Sequence, residues 1–119
     1  MPETQILFII RTISDMRAIG MVVFKNMQQA CRAAELGIRI GNATDRGRGY
    51  GTRALRLAIA YGWGTLNLHR IGLDVMADNA QALAAYRKVG FLTEGNKRDA
   101  AYVGGRWHDM VMMGIIRPE

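Results

Sequence analysis

The segment Arg46-Gly47-Arg48-Gly49-Tyr50-Gly51-Thr52 sets glycine at alternate positions and runs straight into an apolar pattern of helical period. Glycine has no Cβ, so it permits tight turns and lets a ligand come close to the backbone. The first N–H groups of a helix have no partner within it and lie at the positive end of its macrodipole, which makes the start of the following helix an anion site. Arg53 and Arg56 stand in the first turns, where a cation costs about a few tenths of a kcal/mol against that dipole. A bound anion would compensate them, and a phosphate is the expected ligand. Two nucleotide fingerprints fit poorly. A P-loop needs Gly-Lys-Ser/Thr, and no lysine stands there. A dinucleotide fingerprint needs its glycines directly after a strand, whereas Asn42 to Arg46 intervene, Thr52 takes the last glycine's place, and the required acid, Asp74, falls inside a strand.

Other reactive side chains narrow the chemistry further. The single cysteine, Cys31, has no partner for a disulfide, a redox pair or a structural zinc site, and is expected to be a buried spectator thiol. His69 and His108 fit no metal spacing, so hydrogen-bonding roles are expected of them and no metal of the protein. The net charge is +6, and Arg46, Arg48, Arg53 and Arg56 concentrate it locally. A basic balance favours an anionic partner. A membrane surface is disfavoured because the arginines frame a glycine loop and not one long basic amphipathic face. An RNA-binding module is a weaker alternative: it calls for exposed stacking aromatics, and here the aromatics are embedded in strand and helix patterns.

The elements that position these residues follow from hydrophobic period. At 119 residues, half of them hydrophobic, the chain suits one domain over 1–119 with a real core. No stretch approaches a membrane span, and the N-terminus lacks the features of a signal peptide, so a cytoplasmic location is expected. The runs 6–10 and 19–24 flank a polar turn and read as a hairpin. In 35–41 the residues Leu36, Ile38 and Ile40 alternate with Glu35, Gly37 and Arg39, a third strand. A helix follows from about Thr52 to Leu66, with Leu55, Ile59 and Gly62 on one face. A fourth strand spans 69–78. A second helix is capped by Asp78 or Asn79 and stopped by Gly90. The remainder reads as two strands around a turn at 103–106. Strands, helix, strand, helix and hairpin make an α/β or α+β sheet protein with a parallel crossover at its centre.

At this level of detail the chain resembles a known family. Arg46 to Gly51 is similar to the acetyl-coenzyme A signature of the GNAT N-acetyltransferase superfamily, and Asn79, Tyr86, Gly90 and Phe91 match the helix that follows it. The segments 34–41, 66–71 and 104–119 further resemble the subgroup of ribosomal-protein N-terminal and small-amine acetyltransferases. The resemblance implies a mixed, mostly antiparallel sheet with a central β-α-β crossover. It implies acetyl-coenzyme A as co-substrate, with Arg46, Gly47, Arg48, Gly49, Tyr50, Gly51 and Thr52 holding the pyrophosphate on backbone amides. The strand Glu35 to Ile40 is implied to splay from its parallel neighbour, with Ile38 and Ile40 lining the gap that takes the pantetheine arm and Asn79 contacting that arm. Tyr86 matches the tyrosine that protonates the departing thiolate, a role for a phenol of pKa about 10. Glu35, the one carboxylate on the strand beside the expected thioester, could draw a proton from the amine through water, and could equally be a solvated strand residue.

Two alternatives to these roles stand on the residues themselves. Tyr86 and Phe91 could form only the hydrophobic clasp of a helix end around Gly90, and Asn79 could only cap its helix. The chain also departs from the family pattern, which carries a strand and two helices ahead of the segment that begins here at Glu3. The expectation is an N-terminally truncated GNAT-like domain that transfers acetyl to a primary amine by direct attack; a coenzyme-binding remnant without activity is the alternative. A homo-oligomer, most simply a dimer, is expected, because 6–10 shows no alternation and would stand as an apolar edge.

Overall fold

The computed structural model describes residues 5–41 and 49–118. Its elements are β1 (Ile6–Arg11), β2 (Ala18–Gln28), β3 (Ala33–Ile40), α1 (Tyr50–Gly64), β4 (Arg70–Met76), α2 (Ala80–Lys88), β5 (Leu92–Val103) and β6 (Arg106–Ile116). The six strands form one sheet in the order β1-β2-β3-β4-β6-β5. Every neighbouring pair is antiparallel except β3–β4, which is parallel across the α1 crossover. The mixed sheet expected from the sequence is therefore present, with each element within a few residues of its expected place.

Alternation sorts the sheet into two faces. Along β4, Ile71, Leu73 and Val75 are buried, while Arg70, Gly72 and Asp74 are half-buried or exposed on the opposite face. Phe24, Leu36 and Ile71 join Leu55 and Ile59 of α1 and Leu83 and Tyr86 of α2 in one hydrophobic cluster. Close approach of α1 depends on Gly62, where a Cβ would stand 3.1 Å from Ile71 Cδ1 and 3.4 Å from Phe24 Cζ.

The turns follow local chemistry. Gly104 and Gly105, both at positive φ (63° and 77°), close the β5–β6 hairpin in the manner of a two-residue primed turn. Thr12, buried in the β1–β2 turn, donates its hydroxyl to Asp15 and accepts from the Arg17 N–H at 3.2 Å. The Thr12 hydroxyl, more than any other neighbour, holds the Asp15 carboxyl below its usual range.

Two expectations about single positions meet the structure differently. Cys31 is exposed, not buried: it sits in the β2–β3 turn at 29–32. His108 behaves as expected, with Nε2 3.0 Å from the Val103 carbonyl and Nδ1 3.1 Å from Asp78 Oδ2. The strand β1 is the sheet's edge, with Leu7 50% and Ile9 48% exposed.

Candidate active site

The parallel pairing of β3 with β4 is short. Ala33, Ala34 and Glu35 face Arg70, Ile71 and Gly72, and beyond Glu35 no β4 residue partners β3. β4 continues instead against β6 as far as Met76 and Met110. The two strands diverge, and the gap is a cleft of about 710 Å³. Ile38 and Ile40 line one wall, Val75 and Met76 the other. Gly49, Gly51 and Thr52 close it at the start of α1, and Asn79 and Tyr86 border it from α2.

The start of α1 is where the sequence reading places an anion. Gly49 is its N-cap residue at φ 80°, ψ 1°, no side chain caps the helix, and no acidic residue stands in its first turn. A Cβ on Gly51 would meet no atom of the described residues within 4 Å. The misplaced cation of the first turn is in part accommodated locally: the Arg53 guanidinium bends back to the Gly49 carbonyl at 3.5 Å and lies 5.5 Å from the centroid of the Tyr50 ring. Arg46, Gly47 and Arg48 lie outside the described residues; Tyr50 belongs to the first turn of α1.

On α2 the cap and the clasp are both formed, and Asn79 and Tyr86 also border the cleft. Asn79 Oδ1 accepts from the Ala82 N–H at 3.1 Å, the N-cap bond, while its side also borders the cleft. The Phe91 N–H donates to the Tyr86 carbonyl (3.0 Å) and the Gly90 N–H to the Arg87 carbonyl (3.1 Å), with Gly90 at φ 113°. This is the left-handed helix stop, and the Tyr86 and Phe91 rings clasp across it edge to face at 5.7 Å. Tyr86 is only 8% exposed, and burial pushes its phenol pKa up, so the proton stays on the oxygen at neutral pH.

Glu35 lies elsewhere. It lines a second, polar cleft of about 250 Å³ on the opposite face of the sheet, with Asn26, Arg70, Asp74, Glu94 and Lys97. Asn26 Nδ2 donates to Glu35 Oε2 at 2.9 Å. Arg70 grips Glu94 with both terminal nitrogens, one at 2.7 Å. That hydrogen-bonded guanidinium holds the Glu94 carboxyl below the carboxylate range. Lys97 Nζ stands 3.0 Å from Asp74 Oδ2. The sequence reading missed this cleft, although the alternation of β4 already puts Arg70, Gly72 and Asp74 on one face. Among the described residues, no group of three His, Cys, Asp or Glu side chains could hold a metal ion, and no helix is long and apolar enough to cross a membrane.

A mostly antiparallel sheet that splays at its one parallel pair, with a glycine-started helix opening on the gap, defines a class of α+β domain. Comparison with known proteins gives the family. The acetyltransferase (GNAT) domain profile matches residues 2–92. The protein YdaF of Bacillus subtilis (strain 168) is 35% identical over 84% of this chain and 54% of its own length. Spermidine N(1)-acetyltransferase of Escherichia coli (strain K12) is 34% identical over 82% and 52%. The [ribosomal protein uS5]-alanine N-acetyltransferase of the same strain is 31% identical over 85% and 52%. The Vibrio cholerae spermidine N-acetyltransferase structure with CoA and spermine superposes with a TM-score of 0.88 at 28% identity, covering 94% of this chain and 65% of that one. Another structure of that enzyme is dodecameric. The chain belongs to the GNAT acetyltransferase family, and its relatives include ribosomal-protein and spermidine N-acetyltransferases. It spans about half the length of the curated relatives it matches.

Proposed function

We propose that residues 1–119 act as one acetyl-coenzyme A-binding unit of a cytoplasmic N-acetyltransferase that acetylates a primary amine, a protein N-terminus or a small amine. The observation that carries this is the cleft at the β3–β4 splay, which joins an uncapped helix start to a buried tyrosine. Acetyl-coenzyme A fits the donors present: backbone N–H groups of Gly51 and Thr52 at the start of α1 suit a pyrophosphate, and the apolar walls of Ile38 and Ile40 suit a pantetheine arm. The coenzyme supplies an activated thioester, on which a neutral amine acts by direct attack. Tyr86 holds a proton for the departing sulfur. Glu35 receives the amine's proton through water from the side of the polar cleft, and Asn79 orients the coenzyme arm while capping α2.

Acetyl-coenzyme A at about a hundred times its Kd is expected to stabilise the protein by about 2.7 kcal/mol in a thermal melt. Tyr86→Phe is expected to keep that stabilisation while turnover falls about a hundredfold, because only the proton donor is lost. With the phenol pKa raised, wild-type turnover should hold through neutral pH and lose its acid only above about pH 10. Full turnover in Tyr86→Phe removes the tyrosine from the mechanism. Binding without turnover toward any amine, in wild type, makes the chain a coenzyme-binding remnant.

The assembly proposed is a homo-oligomer, most simply a two-fold dimer, with the β1 edge in the interface. Leu7 and Ile9 expose apolar surface on an edge strand, a template for pairing with a second chain, and the Vibrio cholerae relative assembles into a dodecamer. Ile9→Lys is expected to shift the mass seen by light scattering to that of the monomer. A monomeric wild type at micromolar concentration overturns the assembly.

A further inference from the structure

Among the described residues, Asp74 is the one that lines both clefts, the coenzyme cleft at the splay and the polar cleft on the opposite face. Its place follows from β4, which loses its partner β3 just before Asp74 but keeps its pairing to β6, where Asp74 faces Met112. The strand edge is thus open toward the splay while the side chain projects with Arg70 onto the polar face. Any acceptor entering from the polar face toward a thioester in the splay passes this carboxylate.

The cation now on Asp74 is Lys97 Nζ, at 3.0 Å, reaching from β5 across β6. Both side chains are about half exposed, and an ion pair so exposed contributes little to folding. Lys97 carries a compact ammonium on a flexible stem. Arg70, by contrast, is locked in place by both of its bonds to Glu94. The exchangeable cation of the cleft is therefore an alkylammonium, the same chemical group as a protonated primary amine.

We propose that Asp74 seats the acceptor amine as its ammonium ion in the passage between the two clefts, and that Lys97 holds this seat until the acceptor replaces it. The inference rests on the acetyl-transfer reading above. It makes Asp74 a specificity residue for protonated primary alkylamines: one ammonium is exchanged for another, so the carboxylate is never left unpaired, whereas a neutral amine cannot displace Lys97 on equal terms. The seated amine afterwards gives up its proton through water to Glu35, before attack.

The test measures steady-state kinetics with three acceptors: spermidine, an alanine-terminated peptide, and O-benzylhydroxylamine, which is neutral at physiological pH. Asp74→Asn is expected to raise KM for the acetylated ammonium acceptor about tenfold, with acetyl-coenzyme A affinity unchanged and KM for the neutral amine unmoved. Lys97→Met is expected to lower KM for the ammonium acceptor about twofold to threefold, and to have no effect in the Asp74→Asn background. Equal changes for charged and neutral acceptors, or none, overturn the inference while leaving acetyl transfer intact. A wild type that acetylates none of the three while binding acetyl-coenzyme A overturns acetyl transfer and this inference with it. Should Asp74→Asn fail to fold, Lys97→Met decides alone: an unchanged or higher KM overturns the seat.

Discussion

Gly51→Glu is expected to weaken acetyl-coenzyme A binding about a hundredfold or more while leaving the melting temperature of the free protein unchanged or higher. The two effects separate because they have different physical sources. A Cβ at Gly51 meets no atom of the described residues within 4 Å, and its φ is not in the left-handed region, so the described fold accepts a side chain there. An acid in the first turn of α1, which has none, gains about 0.3–1 kcal/mol from the helix dipole. Replacing a helical glycine adds up to about 1 kcal/mol more. The same carboxylate puts negative charge and bulk where a pyrophosphate would sit, and loss of about 2.7 kcal/mol is a hundredfold in Kd. Calorimetry with acetyl-coenzyme A, read beside the melt of the free protein, checks both halves. Undiminished binding removes the phosphate from the start of α1. Gly49 would serve this purpose less well, since at φ 80° any side chain strains the backbone whatever binds.

Gly20→Ala is expected to be the most damaging small substitution in the chain, destabilising it by about 3 kcal/mol. Gly20 lies opposite Ile40 in the β2–β3 ladder. A Cβ there would stand 2.1 Å from the Arg39 carbonyl oxygen and 3.1 Å from the Ile40 Cα, which are backbone atoms that cannot rotate away. Glycine in a strand interior marks this kind of close backbone approach. The strand that must move is the end of β3 that carries Ile38 and Ile40 into the cleft at the splay, so on the proposed reading acetyl-coenzyme A affinity should fall together with stability. Urea unfolding reads the loss directly. A midpoint equal to wild type would mean that β2 and β3 part at this point without cost, and that the cleft wall is not fixed by Gly20.

Period and punctuation carried most of the fold into view. The alternation of Leu36, Ile38 and Ile40, the helical spacing of Leu55, Ile59 and Gly62, and the Gly90 stop are local signals, and each element lies where its signal stands. The glycines before α1 raised the expectation of an anion there for the same reason: a helix start is a local feature. The rest depends on pairing between segments far apart in sequence. Nothing in Glu35 or Gly72 alone says that the parallel ladder ends there. Nor does the sequence of Glu35 show that its carboxylate faces the polar cleft, away from the cleft that Tyr86 lines. Lys97 reaches Asp74 only because β6 lies between their strands. Cys31 was misjudged because residue type speaks for average burial, whereas a turn takes its burial from its position.

The brevity of the parallel ladder has a mechanical consequence. The strands β1, β2 and β3 are joined to β4, β6 and β5 by three facing pairs of residues, and past them the sheet is a seam held from one side by α1 and α2. On the proposed reading, a coenzyme arm lying in that gap would act as a stitch along the seam, completing the sheet where the chain does not. Along the walls of that gap, tightness of binding and stiffness of the sheet would then be set by the same few contacts, and a variant of Ile38 or Ile40 could not loosen one without slackening the other.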